Sequence, residues 1–391
     1  MKKNQGKLTY TILSMSLLTV MAGAAIAPAL GIIKEHFASS PQIIVQFIVS
    51  IPALFIIITT LLFLQISRHL HTRSIAIIGL TLYVVSGVGC CFIDNIYTLL
   101  LMRAILGISV GLIMPLSTGL LGYYFPPKEQ ARLMGLSAAM NQMGGVIATL
   151  LSGILATIKW NYSFLVYMLG LIALIMVIAW LPNEKLDSRN KRGKNFEPRQ
   201  LLKFHPSVTG MLLLMMIFFI FPTNFAITAN KMTTLNAIQI TILMVGLDLI
   251  AAIVGFIFGH LMDWFRDSIK YFAGIFFLMG YTCFALAGGS IAMLIIGCLF
   301  AGIANGVGVP YLNTIASIKG GNNAVTTVMP LLSASLYSGQ FVSPIIVTPL
   351  SIMVFGINDI TAPYKVGIFI CVIFLFQVWT TRHYQSLPPK E

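Results

Sequence analysis

Twelve apolar runs, each about as long as a helix that crosses a bilayer, constrain this chain more than any other feature. They cover residues 11–32, 42–64, 74–93, 96–122, 133–157 and 162–182, then 208–229, 238–262, 271–287, 290–317, 324–350 and 363–381. A helix needs roughly 20 apolar residues to cross about 30 Å of hydrocarbon. Inside lipid every backbone amide must be satisfied within the protein, so only helices and closed barrels span. Barrel strands are about ten residues long and alternate polar with apolar. These runs are too long and too uniformly apolar for that. The expected fold class is an all-α membrane protein with twelve transmembrane helices. Composition agrees: 58% of the 391 residues are hydrophobic and 9% charged, against about 25% charged in soluble domains. Eleven acids and 24 Lys and Arg residues cannot coat a water-soluble surface of this size. An ordinary cytosolic enzyme, a secreted disulfide scaffold and a disordered regulator are excluded.

The net charge of +13 is sorted by side. With the N-terminus in the cytoplasm, 19 Lys and Arg residues fall in cytoplasmic segments and 4 in external ones, while Arg103 lies within a span. This obeys the positive-inside rule with both termini cytoplasmic, and very short external loops fit a bacterial cytoplasmic membrane. The basic balance needs no nucleic-acid partner, because the charge sits in short loops rather than on one face. The basic start, Met1 to Lys7, followed by an apolar stretch, is read as an uncleaved first span rather than a signal peptide, since its removal would leave an odd number of spans. All five cysteines fall in apolar runs without metal-ligand spacing. No P-loop, nucleophile elbow or zinc signature is present in the sequence. The expectation is a protein that is not an enzyme and holds no cofactor or metal. Any uphill work draws on an ion gradient, with the proton gradient as energy source.

The two halves repeat. Gly107, Gly111 and Pro115 in the fourth run are matched by Gly302, Gly306 and Pro310 in the tenth, 195 residues later. Residues four apart share a helix face; glycines there admit a neighbouring backbone, and proline bends the helix. Ser67 answers to Asp263, and Ser137-Ala138 to Ser333-Ala334, at an offset of 196. The expected organisation is an N-terminal six-helix bundle over 1–182, a polar cytoplasmic linker over 183–207 and a C-terminal six-helix bundle over 208–391. Such a repeat points to a pseudo-symmetric transporter with its site at the interface between halves.

The motifs resemble those of the major facilitator superfamily, in particular its 12-helix drug:proton antiporter group of bacteria. Arg103 to Gly107 resembles the family's fourth-helix motif, an arginine ahead of a glycine-rich helix. Gly259 to Arg266, with Asp263 at its centre, resembles the signature loop, and Tyr124 to Arg132 the loop after helix four. Tyr337 to Pro344 is similar to helix eleven of the drug-exporting members. There are departures. In the first copy of the signature loop Phe63 and Ser67 stand where glycine and aspartate are usual, with only Arg68 and Arg73 keeping the basic character. In the fifth helix Gly135, Gly144 and Gly153 are in place, but Ala148-Thr149 replaces a Gly-Pro pair. The resemblance implies the major facilitator fold, alternating access and a cytoplasmic latch built here from Asp263, Gly259, Arg266, Arg68 and Arg73. It also implies a central cavity lined by helices one, four, seven and ten, with Ser16, Met15, Asn224, Phe221, Phe225, Asn305, Tyr311 and Asn313 as candidate lining. Phe221 and Phe225 belong to a stripe at helical spacing that equally suits packing.

Two charges lie well inside predicted spans, Arg103 and Asp248. An isolated charge at the bilayer centre costs at least about 2.5–3.5 kcal/mol on insertion scales, so such residues face a partner or a water-filled cavity. Both are assigned to proton coupling. Burial favours the neutral form of Asp248 and a nearby arginine its anion, and such opposition brings a carboxyl toward physiological titration. A static polar contact is the plainer alternative for Asp248. Arg103 is expected to hold a carboxylate, a backbone carbonyl or an anionic substrate. The function expected is proton-coupled efflux of small lipophilic compounds or drugs by a monomer. A metabolite facilitator or importer is the nearest rival. A transport-inactive receptor or assembly partner, or a channel, are rivals of other classes.

Overall fold

The computed structural model describes residues 2–125, 127–183, 204–320 and 328–382; the side chains of residues 2–5, 64, 68, 118, 127–132, 134 and 138 lie outside that description. The described residues divide into two compact units, Met1–Lys191 and Arg192–Glu391.

In the first unit, α1 (Lys2–Ala24) breaks before a short 3-10 turn at Ala27–Ala29 and resumes as α2 (Leu30–His36). Pro28 accounts for the break, since it supplies no amide hydrogen. Then follow α3 (Gln42–His69), α4 (Thr72–Gly89), α5 (Ile96–Tyr124) and α6 (Pro127–Ile158). The sixth pass begins as a 3-10 stretch, Trp160–Met168, and continues as α7 (Leu169–Trp180). The second unit holds α8 (His205–Met232), α9 (Ala237–Phe265), α10 (Phe272–Ala285), α11 (Ile291–Gly320), α12 (Met329–Phe355) and α13 (Ala362–Thr380).

Eleven continuous stretches are long and apolar enough to cross a membrane. One of them, Ala237–Ala285, has 49 residues, more than twice what about 30 Å requires. It is divided at Arg266, where φ is +44°, into α9 and α10. The described residues therefore make twelve passes, one for each apolar run in the sequence.

Packing reproduces the repeat. In the first unit α1 packs on α6, α3 on α5, α4 on α5, and α7 on α1 and α4. In the second, α8 packs on α12, α9 on α11, α10 on α11, and α13 on α8 and α10. The correspondence extends to single contacts. Gly107 faces the Pro52 carbonyl and Phe55; Gly302 faces the Leu247 carbonyl and Ile250. Gly111 faces Ile56 and Thr59; Gly306 faces Ala251 and Val254. Gly144 lies on the Leu17 carbonyl, and Gly339 on that of Leu212. Every residue in these second-unit sets follows its partner by 195. A Cβ at Gly302 would fall 2.8 Å from the Leu247 oxygen, and one at Gly306 2.6 Å from that of Ala251. Only glycine lets the backbones come this close. Pro115 and Pro310 lie inside α5 and α11 at matching positions.

Paired tyrosines form a second shared feature. Gly170 packs on the Tyr83 ring and Gly367 on the Tyr281 ring. Tyr83 meets Tyr167 edge-on at 5.5 Å, and Tyr281 stacks with Tyr364 at 6.0 Å. Tyr83 Oη donates to the Leu18 carbonyl at 3.3 Å and Tyr281 Oη to that of Ile217.

Loops are closed by local polar chemistry. Asn95 caps α5, accepting from the amides of Tyr97 and Thr98 at 2.9 and 3.2 Å. Asn236 and Gln239 form a reciprocal capping box on α9. Between α12 and α13, Asp359 accepts from Lys365 Nζ at 2.6 Å and from the Thr361 amide and hydroxyl at 2.9 and 2.7 Å. Burial alone would raise the Asp359 pKa, but these donors outweigh it and hold the carboxyl below its usual value.

Candidate functional site

Arg103 sits on α5, is fully buried, and braces the first unit from inside. Its Nε donates to the Ile48 carbonyl at 2.7 Å, its Nη1 to Tyr167 Oη at 2.5 Å and its Nη2 to the Ala22 carbonyl. Tyr167 Oη also approaches the Ala22 carbonyl at 3.2 Å. The choice of acceptors has a local cause. The Ile48 carbonyl would normally accept from the amide four residues on, but that residue is Pro52, which has none. The Ala22 carbonyl lies in the last turn of α1, where carbonyls lack intrahelical partners and a cation is favoured by the helix dipole. The planar guanidinium reaches all three acceptors together, which a lysine ammonium cannot. Of the partners expected for Arg103, the structure shows backbone carbonyls and a phenol. The described salt bridges, His36–Asp94 and Lys365–Asp359, do not include it.

The second unit treats the same locus differently. Cys298 follows Arg103 by 195 and is buried. Leu247 replaces Pro52, so the α9 carbonyl corresponding to Ile48 keeps its helical partner and no guanidinium is required. Asp248, half-buried on α9, lies within electrostatic reach of Cys298. Its first-unit counterpart is Ala53, so the carboxyl is not a packing requirement of the repeat.

The candidate cavity residues fall into two groups by unit. In the first, Ser16 and Met15 are buried on α1. The Ser16 hydroxyl is 2.7 Å from Ser137 Oγ on α6, and one turn further Thr19 donates to Asn141 at 3.0 Å. In the second, Asn224 is buried on α8 and donates to the Ile220 carbonyl at 2.9 Å and Thr223 Oγ1 at 3.1 Å. Phe221 and Phe225 stack at 4.5 Å and both meet Phe284, at 5.8 and 5.5 Å. Phe284 in turn touches Tyr364 at 5.1 Å. These rings belong to an aromatic core within the second unit, the packing alternative that their spacing allowed. Asn305 and Asn313 are half-buried on α11, and Tyr311 is buried within electrostatic reach of Asp267.

The candidate latch residues lie at helix ends. Asp263 and Gly259 are exposed on the last turns of α9, and Arg266 is the exposed residue that ends it. Arg73 donates to the Ile178 carbonyl in the last turn of α7. Lys270 likewise donates to the Arg382 carbonyl just beyond α13, at 3.3 Å. Each unit thus ties its middle loop to its final helix through a cation on an orphan carbonyl. The Arg68 side chain lies outside the described residues.

Sequence reasoning overlooked the tyrosines. Tyr167 holds Arg103, and Tyr364 occupies the corresponding place beside Cys298. The signal was available: Tyr167 and Gly170 recur as Tyr364 and Gly367, 197 residues later.

Comparison with known proteins places this architecture. The family model described as Major Facilitator Superfamily matches residues 12–344, and the chain belongs to that family. Among curated proteins it is similar to the riboflavin transporter RibZ of Clostridioides difficile, 25% identical over 173 residues, covering 44% of this chain and 37% of that one. It is also similar to the quinolone resistance protein NorA of Staphylococcus aureus, 27% identical over 221 residues, covering 54% of this chain and 55% of that one. The aligned segments thus span about half or less of these relatives' length. Among solved structures, a bacterial homolog to the human lysosomal transporter Spinster, inward-facing, superposes with a TM-score of 0.75 at 15% identity, covering 98% of this chain and 97% of that one. A peptide transporter superposes with a TM-score of 0.78 at 11% identity, covering 97% and 96%. At these identities the likeness is one of fold.

Proposed function

We propose that this superfamily member is a proton-driven exporter of small, largely apolar compounds that works by alternating access. The observation that carries the reading is Asp248. It is the only acid inside any of the twelve apolar runs, and a carboxyl there is costly unless it serves a task. The task that suits it is to take a proton from one side of the membrane and release it on the other. Arg103 serves this cycle as a brace: with its donors spent on two carbonyls and a phenol, it keeps the first unit rigid. An apolar substrate agrees with candidate lining that offers methionine, asparagine and hydroxyl groups but few charges. It also agrees with similarity to a protein named for quinolone resistance. Both termini are placed in the cytoplasm of a bacterial membrane by the distribution of Lys and Arg, and a single chain is taken as the working unit. The second reading, a metabolite carrier, has its support in the similarity to a riboflavin transporter.

The test is reconstitution in liposomes that trap a pH-sensitive dye, with an imposed proton gradient and a panel of lipophilic cations, anions, neutral lipophiles and riboflavin. The proposal expects proton movement on addition of lipophilic members. Flux of riboflavin alone, indifferent to the gradient, would favour the second reading. Saturable binding without any flux would reject both.

A further inference from the structure

Asp248 lies deep in the second unit, and a proton carrier needs a way in. Counting from the helix ends at the loops around 233–236, 286–290 and 356–361, Asp248 is eleven residues into α9, Cys298 seven into α11 and Tyr364 two into α13. At 1.5 Å per residue these are depths of roughly 16, 10 and 3 Å. The three share a neighbourhood: Cys298 is within electrostatic reach of both Asp248 and Tyr364. The Tyr364 hydroxyl lies beside Thr228 on α8 yet is buried without a formed hydrogen bond. Its first-unit counterpart, the Tyr167 hydroxyl, is held by Arg103. An unpaired buried hydroxyl is costly, and one beside a thiol that leads to a carboxyl is placed to pass a proton through an intervening water.

We infer that Thr228, Tyr364 and Cys298 form a proton-access path from the loop end of the second unit to Asp248. The inference rests on the reading of Asp248 as the proton carrier. It also explains the asymmetry of the repeat. In the first unit the equivalent path is filled by the fixed charge of Arg103, which repels protons. In the second, the recorded neighbours of the path are the protic or acidic groups Thr228, Tyr364, Cys298 and Asp248, with Tyr281 and Cys371 adjoining Tyr364. The cations near its mouth are Lys231, exposed at the end of α8, and Lys365, engaged by Asp359. The step is a plain protonation: a proton adds to the Asp248 carboxylate, each hydroxyl or thiol giving up one proton as it receives another.

The experiment compares Tyr364→Phe, Cys298→Ala, Cys298→Ser and Asp248→Asn in liposomes, using the lipophile that moves most protons in the wild type. Two rates are measured: downhill exchange without a proton gradient, and accumulation driven by one. Tyr364→Phe and Cys298→Ala are expected to keep exchange and to slow driven accumulation about tenfold or more, the loss expected when a positioned proton-transfer group is removed. Cys298→Ser, which restores a protic group, is expected to recover most of the rate. Retained exchange reports that each variant is folded. If Asp248→Asn loses driven accumulation while Tyr364→Phe and Cys298→Ala match the wild type, the path is wrong and the carrier stands. If Asp248→Asn itself accumulates normally, the carrier reading fails with it.

Discussion

Replacing Arg103 by lysine tests the brace most sharply. The charge is kept but the fork is lost. One ammonium at the end of a flexible chain cannot meet the Ile48 carbonyl, the Ala22 carbonyl and the Tyr167 hydroxyl together, because these come from α3, α1 and the start of the sixth pass. Two of three charged hydrogen bonds are lost, at about 1.5 kcal/mol each at the low end of the usual range, so about 3 kcal/mol in all. For a cooperative unit near 190 residues, 1 kcal/mol moves the midpoint about 2–4 °C, which gives a fall of about 6–12 °C. The assay is thermal unfolding of the purified protein in detergent, followed by a thiol-reactive dye that reports exposure of the buried Cys90 and Cys91 in the same unit. Cys298→Ala, at the matching place in the second unit, is expected to move the midpoint by less than about 3 °C, since it removes only a small apolar side chain. A midpoint for Arg103→Lys within about 2 °C of the wild type, coupled with lost transport, would refute the bracing argument and return Arg103 to the transport cycle.

Three further outcomes follow from the geometry. Gly144→Ala and Gly339→Ala press a methyl group onto the Leu17 and Leu212 carbonyls and are expected to cost about 1–3 kcal/mol each. Gly119→Ala and Gly246→Ala, where nothing lies within 4 Å, should shift stability by no more than about 0.5 kcal/mol; heat treatment followed by size-exclusion chromatography ranks them. At Arg266, φ +44° strains any residue with a Cβ, so Arg266→Gly should be more stable than Arg266→Ala by about 1 kcal/mol, read as a difference in unfolding midpoint. For Asp359 the folded pKa is lowered, so its stabilisation is present at neutral pH and is lost as pH falls below the ordinary carboxylate range near 4. Asp359→Asn should therefore lower the midpoint at pH 7 and leave it nearly unchanged at pH 3.

The twelve passes were legible because a bilayer demands length and uniform apolarity, and both are written in one dimension. The repeat was legible at Gly107 and Gly302 because glycines four apart ahead of a proline form a pattern along one chain. Other features arise only in three dimensions. That Gly144 and Gly339 rest on Leu17 and Leu212 depends on which helices meet. The acceptors of Arg103 are carbonyls, which every residue carries, so the sequence cannot single them out except through Pro52, whose missing amide frees Ile48. Phe221 and Phe225 show the limit of periodicity: helical spacing puts two rings on one face but does not say whether Phe284 or a ligand meets them. The first pass extends beyond its apolar run at both ends, from Lys2 to His36 with a break between, because polar ends of a helix may stand outside the hydrocarbon.

The central claim is that Asp248 carries the proton that drives transport, and one paired measurement addresses it. Wild type and Asp248→Asn are reconstituted in parallel, and lipophile counterflow at equal pH is compared with accumulation under a pH step of two units. The account predicts equal counterflow in both, with accumulation above equilibrium only in the wild type. Accumulation by Asp248→Asn to the wild-type level would contradict it.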